Sequence, residues 1–570
     1  MAYKLPADCL NEIFENLEQN KPALHSCLLV NRLWCRTSVR ILWRNVLNFN
    51  SSDISRQSKV ESSILHMLIA CLPNKSKKLL SENRIVSFST FTPPLFNYAA
   101  YCKVLPICRI IKIVENVYIN QFGKLLVLDK IFQMFTSQIS SLKKLIYPYY
   151  NKKYQDKYEI KFSLAEFPGA RELSELCCGS DISPNFFRFP LTEFPGARKL
   201  SELRCGSNIP SEFFQQLSQI SHNLRTIFID FNGLKGLEGL EELISKQKNL
   251  KNLAMSTFDV SWENVVPALK SQSNTITKLH LYSNNICLPL SFVSFFINLQ
   301  EVIFSFPPDD GVDNDFIENF VKIEASHFPR LQVLKIPFQR PKPESLIKFL
   351  KNNGKTLKKL FICELESAAI SSIANFCLNL QSLFVIFKSN ELHLLQAIFI
   401  RCQYLESIKI WCGVEYLNET EVLEIVANHS PNSFHELKIY NADSDSNFAS
   451  PGDIEFVSPE ELEYASPGHF EIVSPEDLES EDLEFVSPED LESSKYLKFV
   501  SPKDLESFFI SWENRVPKKL LSLIILKKDE NKLLDEESMK IAKKYENLGV
   551  IKFWTKLYDD DEVEEVFEYF

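Results

Sequence analysis

Leu380-Gln381-Ser382-Leu383-Phe384-Val385 is followed 25 residues later by Leu405-Glu406-Ser407-Ile408-Lys409-Ile410. Both segments have the form Leu-x-x-apolar-x-apolar. In an extended chain successive side chains point to opposite sides, so the apolar positions of each segment can share one buried face while the residues between them point away from it. The pair therefore predicts a repeated strand with one face in a core.

The same pattern recurs along most of the chain. Its other first positions are Leu224, Leu250, Ile276, Leu299, Leu331, Leu357 and Phe434, with spacings of 23 to 32 residues, and it resumes at Leu520 and Leu548. Residues 166–180 are repeated almost verbatim at 193–207. A period in the twenties with this signature is that of a leucine-rich repeat, whose strand and returning helix bury their apolar faces only by stacking. We predict an α/β fold, a curved solenoid with parallel strands on the concave face and helices on the convex face.

The residues between the buried strand positions should line the concave face. Aromatic rings there supply anchor area for a partner, and lysines supply charge complementarity. The positions predicted to bind a target protein are His280, Tyr282, Lys335, Phe361, Phe384, Lys409, Trp411, Lys438 and Tyr440. Neighbouring strands lie about 4.8 Å apart, so Phe384, Trp411 and Tyr440 should share one neighbourhood. With the lysines beside them they would suit an apolar peptide flanked by acidic or phosphorylated residues. The alternative is a solenoid face that carries such residues without using them.

The first fifty residues follow a different pattern. Leu5-Pro6 precedes a helical stretch in which Leu10, Ile13, Phe14 and Leu17 are spaced i, i+3, i+4 and i+7. Two more short apolar segments follow in quick succession, which predicts three short helices. A module this small and this rich in Leu, Phe and Trp should leave apolar surface exposed unless a partner covers it.

These residues resemble an F-box, because Leu5-Pro6, Ile13-Phe14, the stretch from Cys27 to Trp34, and Leu42-Trp43 follow one another in the order of that motif. The resemblance implies a three-helix F-box at residues 1–47 that docks onto the Skp-type adaptor of a cullin-RING ubiquitin ligase core. The adaptor-binding residues that it implies are Leu5, Pro6, Leu10, Ile13, Phe14, Leu17, Leu28, Val30, Trp34 and Trp43. A helical cap that merely closes the solenoid would explain the helices but not this spacing.

The remaining boundaries follow from where the repeat spacing holds and fails. We predict a helical linker with degenerate first repeats at 48–140, leucine-rich repeats at 141–441, an acidic Ser-Pro insertion at 442–508, and the last repeats with an acidic tail at 509–570. The insertion repeats an octapeptide such as residues 456–463, and its dense negative charge favours an expanded, partly disordered segment. One hypothesis is that it folds back over the lysines of the concave face and competes with the target.

Composition excludes several classes of function. The formal net charge is −11, of which residues 443–506, with 19 acidic residues and three lysines, supply −16 and leave about +5 for the rest. The rest of the chain has no basic stripe, and this absence argues against nucleic-acid binding. The 14 cysteines include no Cys-x-x-Cys pair and are expected to be reduced and mostly buried, Cys377 and Cys402 among them. No signal peptide or membrane span is expected, which favours a cytoplasmic or nuclear protein.

Enzyme motifs are missing where they would have to occur. Gly354-Lys355-Thr356 lacks the upstream glycine of a phosphate loop, and no H-E-x-x-H or G-x-S-x-G sequence is present. We therefore predict a protein that is not an enzyme and needs no cofactor or metal. The predicted role is target recognition for a Skp–cullin–F-box ubiquitin ligase, with an interaction scaffold that causes no degradation as the alternative.

Overall fold

The computed structural model divides the chain into two compact units, Met1–Thr275 and Ile276–Phe570. The residues that the structure describes are 7–18, 20–48, 54–86, 93–118, 120–147, 167–179, 196–257, 260–283, 290–306, 319–338, 340–413, 415–442, 500–527 and 536–557.

The first unit begins with three short helices, α1 (Ala7–Glu15), α2 (Lys21–Leu28) and α3 (Arg32–Leu42). The side-chain oxygen of Asn20 accepts a hydrogen bond from the backbone N–H of Ala23 at 3.0 Å, and that of Asn31 accepts from Leu33 at 2.9 Å. Each asparagine satisfies N–H groups that the first turn of a helix leaves unpaired, so the helices begin where these caps stand.

Further helices and strands follow in the described part of the first unit. The further helices are α4 (Ile54–Cys71), α5 (Asn74–Glu82), α6 (Ile107–Val117), α7 (Gln121–Gln138), α8 (Ser211–Ile220), α9 (Leu237–Ser245) and α10 (Val266–Lys270). The strands are β1 (Val104–Pro106), β2 (Lys144–Ile146), β3 (Glu175–Cys178), β4 (Glu202–Gly206), β5 (Thr226–Phe231) and β6 (Asn252–Thr257). Each strand pairs in parallel with the next one along the chain.

The second unit continues the alternation of strand and helix. Its strands are β7 (Lys278–Ser283), β8 (Glu301–Ser305), β9 (Val333–Ile336), β10 (Lys359–Glu364), β11 (Ser382–Ile386), β12 (Ser407–Gly413), β13 (Glu436–Ala442), β14 (Leu521–Lys527) and β15 (Ile551–Leu557), again paired in parallel in chain order. Its helices are α11 (Pro343–Asn353), α12 (Ser367–Phe376), α13 (Leu392–Arg401), α14 (Glu419–His429), α15 (Pro502–Glu513) and α16 (Glu536–Asn547).

The register confirms the predicted leucine-rich-repeat fold. Leu360, Leu383, Ile408 and Leu437 are partners on successive strands, and all four are buried. Each such row extends the core by one repeat, as stacking requires. We call the opposite side of the strands, where the residues between these rows lie, the strand face.

Buried side-chain amides join successive repeats. The side-chain oxygen of Gln247 accepts a hydrogen bond from the N–H of Leu224 at 3.0 Å, and its amide donates to the carbonyl of Ser221 at 2.9 Å. Asn353, the last residue of α11, makes the same kind of bond, and its side-chain oxygen accepts from the N–H of Phe328 at 2.7 Å. Because buried backbone groups must be paired, these amides fix the turn of the preceding repeat.

The last two repeats pair in a frame that differs from the prediction. Leu523 on β14 is the partner of Phe553 on β15, whereas the predicted frames would align it with Ile551. Leu520 and Leu548, predicted as the first core positions of these repeats, are exposed. A shift of two residues keeps the same side chains on the core side, so the hydrophobic pattern tolerates either frame.

The predicted insertion also ends earlier than expected. Ser501 accepts a hydrogen bond from the N–H of Asp504 at 3.2 Å and caps α15, which begins at Pro502. The boundary predicted at 508 therefore falls inside a repeat helix, because the Ser-Pro start belongs to that helix. The octapeptide units, and with them the hypothesis that they cover the lysines, lie outside the described residues, as does the acidic tail from 558.

The repeat cysteines that the structure describes are core residues, as predicted. Cys377 and Cys402 are fully buried, and the Cys402 thiol donates to the carbonyl of Cys377 at 3.5 Å. Burial raises the pKa of Cys402 to about 12. Within the described part of the chain no cluster of His, Cys, Asp and Glu could hold a metal ion. The helices described there are all too short or too polar to cross a bilayer.

Candidate protein-binding surfaces

The three N-terminal helices enclose a small core of their own. Leu10 and Phe14 on α1 pack with Leu24 on α2 and Ile41 on α3, and the ring of Trp34 meets that of Phe14 edge-on at 5.1 Å. Leu10 and Phe14 are therefore buried inside the unit and cannot touch a partner of the folded protein, which corrects their predicted role as adaptor contacts. They hold together the helices on which such contacts would stand.

Four other apolar side chains of the three N-terminal helices and their turns are exposed to solvent. Ile13 on α1 is 46% exposed, Leu29 and Val30 in the turn between α2 and α3 are 81% and 56% exposed, and Leu33 on α3 is 39% exposed. We call Ile13, Leu29, Val30 and Leu33 the N-terminal apolar set. Ile13 and Val30 were predicted from the motif, whereas Leu29 and Leu33 were missed. Exposed apolar side chains on three such short helices make them a candidate protein-interaction surface.

The other predicted adaptor-binding residues are half-buried or lie outside the described residues. Leu17 and Trp34 pack against the N-terminal core as half-buried side chains, and Leu28 is half-buried at the end of α2. Trp43 lies in a short 3-10 helix after α3, where its ring packs on Tyr98 at 4.5 Å. Leu5 and Pro6 fall outside the described residues. Of the ten predicted residues, two are therefore exposed, two are buried, four are half-buried and two lie outside the described residues.

An ion pair closes the N-terminal unit. The guanidinium of Arg44 is hydrogen-bonded to the carboxylate of Glu15 at the end of α1 and lies 3.6 Å from a carboxylate oxygen of Glu18. The hydrogen bond from Arg44 lowers the pKa of Glu15. Because this pair joins α1 to the 3-10 helix that follows α3, it restrains the orientation of the helix that carries Ile13.

A second candidate surface lies on the strand face of the second unit. Five of the predicted residues stand side by side on β9 to β13 as register partners, in the order Lys335, Phe361, Phe384, Lys409 and Lys438. The rings of Phe361 and Phe384 are stacked at 4.2 Å. The row therefore places two stacked aromatic rings between Lys335 on one side and Lys409 and Lys438 on the other.

The next row on the same face carries Trp411 and Tyr440. Their rings are stacked at 5.2 Å, nearly parallel, and Tyr440 meets Phe384 at 6.1 Å. Phe384, Trp411 and Tyr440 thus lie in one neighbourhood, as strand spacing predicts. The sequence prediction missed Tyr416, which packs on Trp411 at 5.7 Å from the loop after β12. We call Phe361, Phe384, Trp411, Tyr416 and Tyr440 the aromatic cluster.

Much of this surface is less accessible than the prediction required. Phe384 and Tyr440 are buried, and Lys409 is only 9% exposed. Phe361, Trp411, Lys335 and Lys438 are half-buried. Aromatic rings on neighbouring strands, about 4.8 Å apart, cover each other's faces from solvent when they stack. This stacking is one cause of the burial. A partner would contact the half-buried members first.

His280 and Tyr282 stand apart from the aromatic cluster, because β8 separates their strand from Lys335 on β9. Both are buried. The Nε2 atom of His280 lies 3.2 Å from one carboxylate oxygen of the buried Glu301, and Lys278 Nζ lies 2.8 Å from the other. Burial alone would raise the pKa of Glu301, but the hydrogen bonds from His280 and Lys278 outweigh it and lower the pKa to about 2. These contacts make His280 part of a hydrogen-bonded network around Glu301.

This network predicts a pH-dependent stability. Because its folded-state pKa lies below the ordinary value of 4.5, the Glu301 carboxylate stabilises the fold above about pH 4.5, and this contribution is lost as the pH falls towards 2. We expect Glu301→Gln to lower the free energy of unfolding by about 2–3 kcal/mol at pH 7. Urea unfolding between pH 7 and 4 should show the difference from the native chain narrowing below pH 4.5. Glu175→Gln, which removes a half-exposed partner of Lys144, should change little. A constant difference at all pH values would contradict this assignment.

Comparisons with known proteins give no match in sequence and only weak matches in structure. No family model matches the sequence, and a search of curated proteins finds no match. Among solved structures, the leucine-rich repeat-containing protein LegL7 from Legionella pneumophila is similar with a TM-score of 0.30 at 15% identity, over 47% of this chain and 90% of that one. The Rad7 and Elc1 complex in yeast is similar with a TM-score of 0.31 at 14% identity, over 78% of this chain and 96% of the other. Neither similarity is close enough to carry an assignment of function.

Proposed function

We propose that the chain is the non-catalytic target-recognition subunit of a Skp–cullin–F-box type ubiquitin ligase. The observation that carries the proposal is the N-terminal apolar set, exposed on a folded three-helix unit whose sequence follows the F-box order. A Skp-type adaptor would cover Ile13, Val30 and their exposed neighbours, and would link the chain to the cullin-RING core. The chain itself performs no chemistry and acts by raising the effective concentration of a target near the ubiquitin-charged enzyme.

The aromatic cluster is the proposed target surface. Half-buried Trp411 and Phe361 offer ring area, and Lys438 and Lys335 offer positive charge beside it. Aromatic anchors with neighbouring cations suit a target segment that has an apolar residue flanked by acidic or phosphorylated residues. We place this activity in the cytoplasm or the nucleus.

The test of this role is whether captured proteins become ubiquitinated. Affinity-purified partners of the chain would be quantified by mass spectrometry with and without an inhibitor of cullin neddylation. A ligase subunit predicts partners whose ubiquitination falls and whose abundance rises when neddylation is blocked. A chain that acts only as a scaffold predicts adaptor and partners recovered with no such change, so this result would reject the proposal in favour of the alternative.

Changing the aromatic cluster should weaken target capture and leave adaptor binding intact. Trp411→Ala removes a ring that stacks on Tyr440, and truncation of an aromatic anchor at an interface typically costs about 2 kcal/mol or more. Lys438→Glu reverses a neighbouring charge. We expect each change to reduce recovery of cullin-dependent partners at least about 10-fold. Lys351→Glu, an exposed charge reversal on α11, serves as the control. Unchanged recovery with both variants would show that targets bind elsewhere.

A further inference from the structure

One face of α4 lines a cleft that the proposed ligase role does not use. The lining residues of α4 recur at the spacing of a single helical stripe, and Trp43 also lines the cleft. The α4 residues are Arg56, Lys59, Val60, Ser63, Ile64 and Met67. The cleft is open to solvent and has a volume of about 520 Å³. The opposite face of the helix, with Leu65, Leu68 and Ile69, is buried in the unit.

The walls of the cleft are apolar and held in place. The ring of Trp43 packs on Tyr98 at 4.5 Å, which fixes its orientation. Val60 and Met67 are half-buried, so part of their apolar surface faces the cleft, and Ile64 forms the floor as a buried side chain. Aromatic and aliphatic surface in such a setting is typical of the anchor pocket of an interface.

The two cations stand at one end of this stripe. Arg56 and Lys59 belong to the first two turns of α4, where the helix dipole already favours negative charge. Glu61 is the single acidic residue of α4 and lies on the other face, paired with Arg109 at 2.8 Å. Among the described residues that line the cleft none is acidic. The cationic side chains of the cleft thus lie at its Arg56 end and the apolar ones towards its Met67 end.

We propose that this cleft binds a segment of a partner protein in which a large apolar side chain is followed closely by acidic residues. Lys59 and the apolar positions Ile64 and Met67 are five and eight residues apart on the helix, or roughly 7–12 Å at about 1.5 Å per residue. An extended peptide covers this distance in about two to four residues, which sets the spacing between its apolar side chain and its acids. The site shares Trp43 with the residues that the F-box resemblance implies for adaptor binding, but it includes none of the N-terminal apolar set and does not rest on the ligase role.

The probe for this site is a fluorescein-labelled synthetic peptide in which one phenylalanine is followed, after two glycines, by three glutamates. Fluorescence anisotropy with the full chain should show saturable binding that weakens as salt is raised. We expect Arg56→Glu combined with Lys59→Glu to weaken binding at least 10-fold, and Met67→Glu to weaken it to a similar extent. A peptide with three lysines in place of the glutamates should not bind.

Two controls keep this proposal falsifiable. Lys75→Glu on α5 reverses an exposed charge away from the cleft and should bind the probe like the unaltered chain. Circular dichroism would verify that all variants are folded. Absence of saturable binding, or equal weakening by Lys75→Glu, would overturn the proposal. If the Arg56→Glu, Lys59→Glu variant no longer bound the Skp-type adaptor, the cleft would be part of the adaptor-binding surface. The proposal of a separate site would then be wrong.

Discussion

Combining Ile13→Glu with Val30→Glu is expected to abolish co-purification of a Skp-type adaptor while the chain stays folded. Both side chains are largely exposed in the free chain, so the changes cost little in stability. In a complex each would place a charge in a desolvated apolar contact. Loss of one such anchor typically costs about 2 kcal/mol, or roughly 30-fold in affinity, and two together should reduce binding below detection in a pull-down.

Two variants separate contact from folding in this experiment. Leu125→Glu places the same charge on a comparably exposed apolar position of α7 and should leave adaptor recovery unchanged. Phe14→Ser empties the core of the N-terminal unit and should lose adaptor binding together with local structure, seen as faster amide exchange in α1 to α3. Full adaptor recovery with the double variant would remove the basis of the proposed function.

Asn353→Leu is expected to destabilise the repeats by about 3 kcal/mol or more. The buried amide of Asn353 accepts from the N–H of Phe328 at 2.7 Å and donates to the carbonyls of Ser326 at 2.9 Å and Phe349 at 3.0 Å. Leucine fills a similar space but leaves the N–H of Phe328 and the carbonyl of Ser326 buried without partners, at about 1–3 kcal/mol each. Urea unfolding followed by far-UV circular dichroism would measure the shift.

The adjacent residue supplies a matched control. Asn352 is exposed, and its amide makes only a long contact of 3.4 Å to the carbonyl of Ala325. Asn352→Leu changes the same atoms one position earlier and should alter the free energy of unfolding by less than about 0.5 kcal/mol. If the two variants have the same free energy of unfolding, the buried amides do not stabilise the contact between successive repeats.

The repeat fold was predictable because its signal is local and recurs many times. The triplet at Leu380, Leu383 and Val385 repeats often enough that errors in single repeats do not matter, and strand spacing alone placed Trp411 beside Tyr440. The frame of β15 was wrong because two alignments, two residues apart, bury equivalent side chains.

The candidate surfaces were harder to predict, because burial depends on neighbours that one helix or strand does not reveal. A helical stripe shows that Leu10, Ile13 and Phe14 lie near one another but not which of them faces a partner. Leu29 lies in a turn outside any stripe, yet it is the most exposed of the N-terminal apolar set. On the strand face, the pattern identified Lys409 but not the packing that buries it.

Amide hydrogen exchange of the full chain, with and without a purified Skp-type adaptor, tests the central claim most directly. The proposed function predicts slower exchange on adaptor binding in α1, in the turn that carries Leu29 and Val30, and in the first turn of α3, with the strands β9 to β14 unchanged. Exchange that the adaptor leaves unaltered throughout residues 7–45, or that slows only in the second unit, would contradict the claim that the N-terminal helices form the adaptor-binding module.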